Sequence, residues 1–231
     1  MFEPETGSNI PYGIGYYAKP GDTYLKIADV RMHHLASIFT TNFKPQSSLD
    51  IGCAHGLLVY WLRRMGVQAF GVDVSSSAFS MTPKDNIAFL TKLDIESERL
   101  PFQDENMDLV SALEVIEHLS NLKYPLSEIR RVLRPGGYFF ITTPLPFTDS
   151  KLGQFLIGRG WRMQDETHVN VHYRGYWKRL MMEHGFTYSG LLSIAFNGIP
   201  SEFWPIRILN RLPCGNIVRA YLVGASLFQK Q

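Results

Sequence analysis

Hydrophobic positions along the chain keep two alternating rhythms. Leu25, Ala28, Met32, Leu35 and Phe39 recur at helical spacing behind Asp22, a residue suited to an N-cap, so a helix is expected to about Thr41, ended by Lys44-Pro45. Short apolar runs then alternate with amphipathic ones. Strands are expected at Ser48–Ile51, Val67–Val72, Ile87–Leu93, Met107–Leu113 and Tyr138–Thr143, with Phe186–Ala195 and Val218–Phe228 as two last strands. Helices are expected at Leu57–Met65, stopped by Gly66, at about Leu122–Leu133, closed by Pro135-Gly136-Gly137, and at Tyr176–Glu183, before His184-Gly185. Strands alternating with helices imply parallel pairing in a doubly wound α/β sheet. Ligands of such sheets bind beyond the carboxyl ends of the strands. Gly52, Asp73, Asp94, Leu113 and Thr143 each lie at or just past such an end.

The length, 231 residues with 45% hydrophobic, suits one domain over 1–231. An irregular arm and helix cover 1–44, and a core covers 45–195. Segments 145–173 and 197–217 are long and rich in Pro, Gly, Trp and Arg, which marks them as candidate substrate lids. Within the second, Phe203–Pro213 mixes aromatics with two arginines. The net charge of +2 hides an asymmetry: residues 151–231 hold ten Lys/Arg against four Asp/Glu, and residues 1–150 hold thirteen against seventeen. A basic C-terminal part could face an anionic substrate. Cys53 and Cys214 make no disulfide framework. The opening "MFEPETGSNIPYG" lacks the basic start and apolar stretch of a signal peptide, and no run approaches the roughly 20 apolar residues of a membrane span. A cytoplasmic protein is expected.

The candidate chemistry begins at "LDIGCAHGLLVYWL", Leu49–Leu62. A dinucleotide loop would read G-x-G-x-x-G, but the third glycine falls on Leu57, and the phosphate-binding G-x-x-x-x-G-K-[ST] is absent. The stretch instead resembles motif I of the class I S-adenosylmethionine-dependent methyltransferases, roughly D-x-G-x-G-x-G. It matches at Asp50, Gly52 and Gly56, with Ala54 in place of the middle glycine. Four more blocks follow in the family's order: "FGVDVS", "KLDIESERLPF", "NMDLVSALEVIEHL" and "EIRRVLRPGGYFFITTP"; "HVNVHYRGYWKRLMMEHGF" resembles the lead into its last strands. The likeness covers roughly residues 45–195.

The resemblance implies a Rossmann-like, seven-stranded, mostly parallel sheet in the order 3-2-1-4-5-7-6, with helices on both faces and lid insertions. It implies S-adenosyl-L-methionine as cofactor, with S-adenosyl-L-homocysteine as product, held by Asp50, Gly52, Cys53, Ala54, Gly56, Asp73, Val74, Asp94, Ile95 and Leu113. In that scheme Asp73 accepts the ribose hydroxyls, Asp94 takes the adenine amino group and Ile95 packs on the ring. Asp73 and Asp94 as plain caps, and Asp50 as a loop organiser, are the structural alternatives. His118, with Glu117 and His168, is the candidate catalytic set, His118 as base. Glu114-Val115-Ile116-Glu117-His118 also resembles the E-x-x-E-H of small-RNA 2′-O-methyltransferases and ubiquinone-pathway O-methyltransferases, which hold a divalent metal with it. A metal on Glu114, Glu117, His118 and His168 is therefore the alternative to a metal-free site, which is favoured; on a helix, 114, 117 and 118 would share a face. Methyl transfer to O or N of a small-molecule acceptor is the expected function, with no DNA partner. RNA is disfavoured because no strong basic stripe or separate RNA-binding domain is present. The alternatives are a metal-assisted RNA 2′-O-methyltransferase, a non-catalytic cofactor-binding module and, more distantly, a nicotinamide enzyme. The acceptor and the oligomeric state are left open.

Overall fold

The computed structural model describes residues 23–80, 82, 84–144, 146, 167–190 and 225–231. The expectations for the N-terminal arm, for 191–195, for 197–224 and for most of 145–173 lie outside these residues. Helix α1 runs Thr23–Asn42, then β1 Ser47–Ile51, α2 Leu57–Arg64, β2 Gln68–Asp73, α3 Ser76–Phe79 and β3 Leu90–Lys92. After these come β4 Met107–Leu113, α4 Lys123–Val132, β5 Leu133–Thr142, α5 Arg174–Glu183, β6 Phe186–Gly190 and β7 Ser226–Lys230.

Seven strands of the described residues form one sheet in the order β3-β2-β1-β4-β5-β7-β6. The first four pairings are parallel, and β7 runs antiparallel to both β5 and β6. This is the expected order, and the side-chain period of two explains its burial. Leu49, Ile51, Val110, Ala112, Phe139 and Ile141 point to one face, where Leu126 and Ile129 of α4 and Trp177 and Met181 of α5 cover them. Leu109 and Phe140 point to the other, under Leu35 and Phe39 of α1, Leu58 and Leu62 of α2 and Ala78 and Phe79 of α3. Edge-on aromatic contact of Phe39 with Phe140, 5.2 Å between centroids, ties α1 to the sheet. With both faces covered, the parallel strands read as near-continuous apolar runs.

Several boundaries differ from expectation. Ile87–Phe89 forms one turn of 3-10 helix, and β3 starts only at Leu90. The Asn86 side chain donates to Gly56 O at 2.8 Å, which draws the residues before Leu90 toward the glycine loop and out of the sheet. The Pro135-Gly136-Gly137 turn sits inside β5: Met107 pairs with Leu133 and Leu109 with Tyr138, so residues 134–137 bulge outward between the two pairings. Helix α3 had no counterpart in the hydrophobic pattern.

The larger correction concerns "EVIEH". No α-helix forms there. Glu114 takes a left-handed conformation (φ 54) directly after β4, and Ile116–His118 makes a single 3-10 turn. Glu114 N–H donates to Thr142 O at 3.0 Å and lies 3.1 Å from Thr142 Oγ1, so pairing with β5 continues through Glu114, and its left-handed backbone lies outside the α-helical region. Trp177 is a core side chain, 1% exposed.

Candidate functional site

The site is built at the carboxyl ends of β1, β2, β3 and β4, where four loops meet. The glycine loop leaves β1 with positive φ at Gly52 (65), Ala54 (47) and Gly56 (66), turning the chain from strand into α2. Gly52 N–H and Cys53 N–H both donate to Val72 O, at 2.8 and 3.1 Å, and pin the loop to β2. A Cβ at Gly52 would stand 2.3 Å from Val115 Cγ2, so glycine is demanded by close approach of the loop after β4 as well as by φ. Ala54 holds the left-handed conformation that its alanine disfavours.

Asp73 organises this loop. It is buried, its Oδ2 accepts the Ala54 N–H at 2.8 Å and its Oδ1 accepts the Ser75 N–H at 2.8 Å. Burial raises its carboxyl above the ordinary value against the lowering effect of those two bonds. Asp50 lies behind it on β1, buried, with Ser111 Oγ donating to Oδ1 at 2.6 Å. Burial, opposed by the Ser111 bond and reinforced by the Asp73 charge, pushes Asp50 up to about 7. Cys53 faces the core rather than the loop's mouth: its Sγ would be 2.7 Å from a Cβ on Gly71, and burial pushes its thiol up.

Asp94 follows β3 and caps the turn it starts. Its Oδ1 accepts Glu96 N–H at 2.9 Å and its Oδ2 accepts Ser97 Oγ–H at 2.8 Å. Ile95 is buried in the core beside it, while Val74 and Leu113 are half-buried at their strand ends. Glu96, which no sequence pattern singled out, clasps the next loop: its Oε1 accepts Ser120 N–H, Ser120 Oγ–H and Asn121 N–H at 2.8, 2.7 and 2.9 Å. Glu96 thus ties the Asp94 turn to the loop after β4.

That loop carries Glu117, fully buried, and His118, half-buried. His168 arrives from the segment before α5, its ring edge-on to His118 at 4.7 Å. One ligand atom each of Glu117, His118 and His168 lies within 4.8 Å of the others. Glu114, the fourth residue of the alternative metal set, is exposed and is not part of this group. His172 stacks on Tyr176 at 3.8 Å and belongs to α5's surface.

Known proteins resemble the chain in sequence and in fold. A family model described as a methyltransferase domain matches residues 24–189, more than half of the chain. The chain belongs to this family, that of the class I S-adenosylmethionine-dependent methyltransferases. A ubiquinone biosynthesis O-methyltransferase from Chelativorans sp. (strain BNC1) is 30% identical over 113 residues, 48% of this chain and 44% of that protein. The chain therefore spans less than half the length of that relative. A SAM-dependent methyltransferase from Archaeoglobus fulgidus shares the fold with a TM-score of 0.58 at 20% identity, over 89% of this chain and 94% of that one. The [4+2]-cyclase SpnF shares it with a TM-score of 0.55 at 19% identity, over 88% and 80%. A fold common to a methyltransferase and a cyclase does not by itself name a reaction. Among the described residues, no helix is long and apolar enough to cross a membrane.

Proposed function

We propose that the protein transfers a methyl group from S-adenosylmethionine to an O or N atom of a small-molecule acceptor. The observation that carries the reading is the gathering of two strand-end carboxylates and a left-handed glycine loop at one edge of the sheet, in a chain of this family. The donor set suits a nucleoside. A carboxylate offers about four lone-pair sites, so Asp73 and Asp94, each with two local donors, retain capacity for ribose hydroxyls and an exocyclic amine. Ile95 supplies apolar surface beside Asp94. Asp50, Gly52, Cys53, Ala54, Gly56, Val74 and Leu113 shape this edge, Cys53 through its backbone.

The bound cofactor supplies an activated methyl on a sulfonium. The chain's part is first to hold the acceptor in line with that methyl, which is worth about 7–11 kcal/mol in well-oriented systems. His118 then receives the acceptor's proton at Nε2, and the buried carboxylate of Glu117 and the ring of His168 flank the charge this creates.

A second reading, a divalent metal on Glu117, His118 and His168, is favoured by their convergence within 4.8 Å. One carboxylate with two imidazoles suits a transition metal better than Mg²⁺. It would bring a metal-assisted RNA 2′-O-methyltransferase back into view.

Calorimetry with S-adenosylhomocysteine should show binding, followed by product release with a panel of phenols, amines, sugars and RNA ends. His118→Ala should lower kcat by about 10²–10⁴ while product binding persists. No affinity for the nucleoside overturns the proposal. Binding without turnover on any acceptor leaves a cofactor-binding module instead. Tight binding of Mn²⁺ or Zn²⁺, lost in Glu117→Gln, selects the metal reading; Glu114→Ala should leave it intact.

A further inference from the structure

We propose that Glu96 is a positioning residue through which a nucleoside held at Asp94 steadies the loop carrying Glu117 and His118. The proposal rests on the reading of Asp94 as part of the cofactor site, and it can be measured without turnover.

The link is a short chain of bonds. Residues 94–98 close on Asp94 from both sides. Its Oδ1 accepts the Glu96 N–H at 2.9 Å, its Oδ2 accepts Ser97 Oγ–H at 2.8 Å, its backbone carbonyl accepts the Glu98 N–H at 2.8 Å, and its own N–H donates to Glu98 Oε1 at 2.9 Å. The Glu96 side chain then leaves this turn for residues 24 and 25 positions on. Its Oε1 accepts Ser120 N–H, Ser120 Oγ–H and Asn121 N–H, all within 2.9 Å. Bonds to a charged oxygen are roughly twice as strong as neutral ones.

The other side of the loop is held separately. Val169 N–H and Asn170 N–H donate to Glu117 O at 2.8 and 2.9 Å, Asn170 Nδ2 donates to Leu119 O, and Thr167 Oγ1 lies 2.8 Å from His118 Nδ1. Residues 167–170 thus grip 117–119, while Glu96 grips 120–121 and is itself bonded to Asp94. A nucleoside amine on Asp94 restricts the turn that aims the Glu96 side chain. Less freedom is then lost when Glu96 closes on the loop, so the ligand favours the closed loop. The same coupling must act in reverse, the closed loop favouring the ligand.

The test is amide hydrogen exchange by NMR at Ser120 and Asn121, with and without saturating S-adenosylhomocysteine. In wild type this product should slow both amides by about 5- to 150-fold, the usual span of coupling between two sites. In Glu96→Ala exchange there should be fast and nearly indifferent to the product, with the amides of β4 and β5 at their wild-type rates. Calorimetry on that variant should show product binding weakened by a factor matching the wild-type slowing, because coupling is reciprocal. Glu96→Gln, which keeps an acceptor oxygen and gives up the charge, should fall between. A purely structural clasp would expose the loop in the alanine variant without touching product affinity. Unchanged affinity in that variant, no slowing in wild type, or full slowing kept without Glu96 each overturns the proposal. Should the alanine variant fail to fold, the glutamine variant carries the same comparison. Absence of product binding to wild type sinks the function proposed above; binding without slowing at these two amides sinks only this one.

Discussion

Gly52→Ala tests whether the glycine loop and the loop after β4 are packed as tightly as the structure has them. Two costs add in this one methyl group. The first is conformational: φ is 65 at Gly52, and an L-residue held there costs about 1–2 kcal/mol. The second is steric: the new Cβ would lie 2.3 Å from Val115 Cγ2, and Val115 is β-branched with little χ1 freedom to retreat. Overpacking of this kind costs about 1–3 kcal/mol. The single variant should therefore lose about 2–5 kcal/mol of folding stability. A double-mutant cycle separates the two terms, because Val115→Ala removes the obstacle and leaves φ unchanged. The double variant should recover the steric part, giving a coupling of about 1–3 kcal/mol, while about 1–2 kcal/mol of backbone cost persists. Urea unfolding by linear extrapolation measures all four corners. Additivity within about 0.5 kcal/mol would show that the loops do not touch as described. A single-variant loss below about 1 kcal/mol would show that the left-handed turn is not required.

Two further outcomes follow from charge. Asp50 is raised from 3.8 to about 7, so between roughly pH 4 and 7 the folded state keeps a proton that the unfolded state releases, and this group's contribution to stability falls as pH rises through that window. Asp50→Asn removes the titration while its amide oxygen can still accept from Ser111. The stability of the variant relative to wild type, read from urea midpoints, should grow from pH 4 to pH 7 and then level; a flat difference refutes it. Arg131→Met should cost about 3 kcal/mol or more in the same assay. It removes bonds to both Glu128 oxygens at 2.7–2.8 Å and to Leu100 O, Phe102 O and Asp104, leaving buried Glu128 without its cation. Arg131 also holds Glu128 below the usual carboxylate range, so the wild-type advantage should shrink as pH falls through that depressed value. An unchanged midpoint would show that the latch between residues 100–104 and α4 is dispensable.

The alternation of apolar runs, the glycines at 52 and 56 and the acids ending β2 and β3 were legible in the sequence, because each depends on near neighbours. A parallel strand buried on both faces must be apolar throughout, and a chain turning from strand to helix in a few residues needs positive φ. The order of strands came with the family resemblance, whose five blocks sit at the strand ends, and the sheet has that order. Local pattern misled where a distant partner intervened. Ile87–Phe89 has a strand's composition, yet Asn86 is drawn to Gly56 O, 30 residues away. Glu114 has a helix's spacing to Glu117 and His118, yet it pairs with Thr142 of β5 and takes a left-handed φ that an α-helix does not accommodate.

The remaining decisions belong to tertiary structure alone. Only the folded chain puts both Asp73 oxygens on loop amides, binds the Asp94 turn to residues 120–121 through Glu96, and brings Thr167 and His168 to His118. Hydrophobic periodicity reports which face of an element is buried, and glycine reports where the backbone must bend. Neither reports which polar group will find which, since a hydrogen bond is made by atoms that meet in space, and residues 118 and 167, 49 positions apart, meet only in the folded chain.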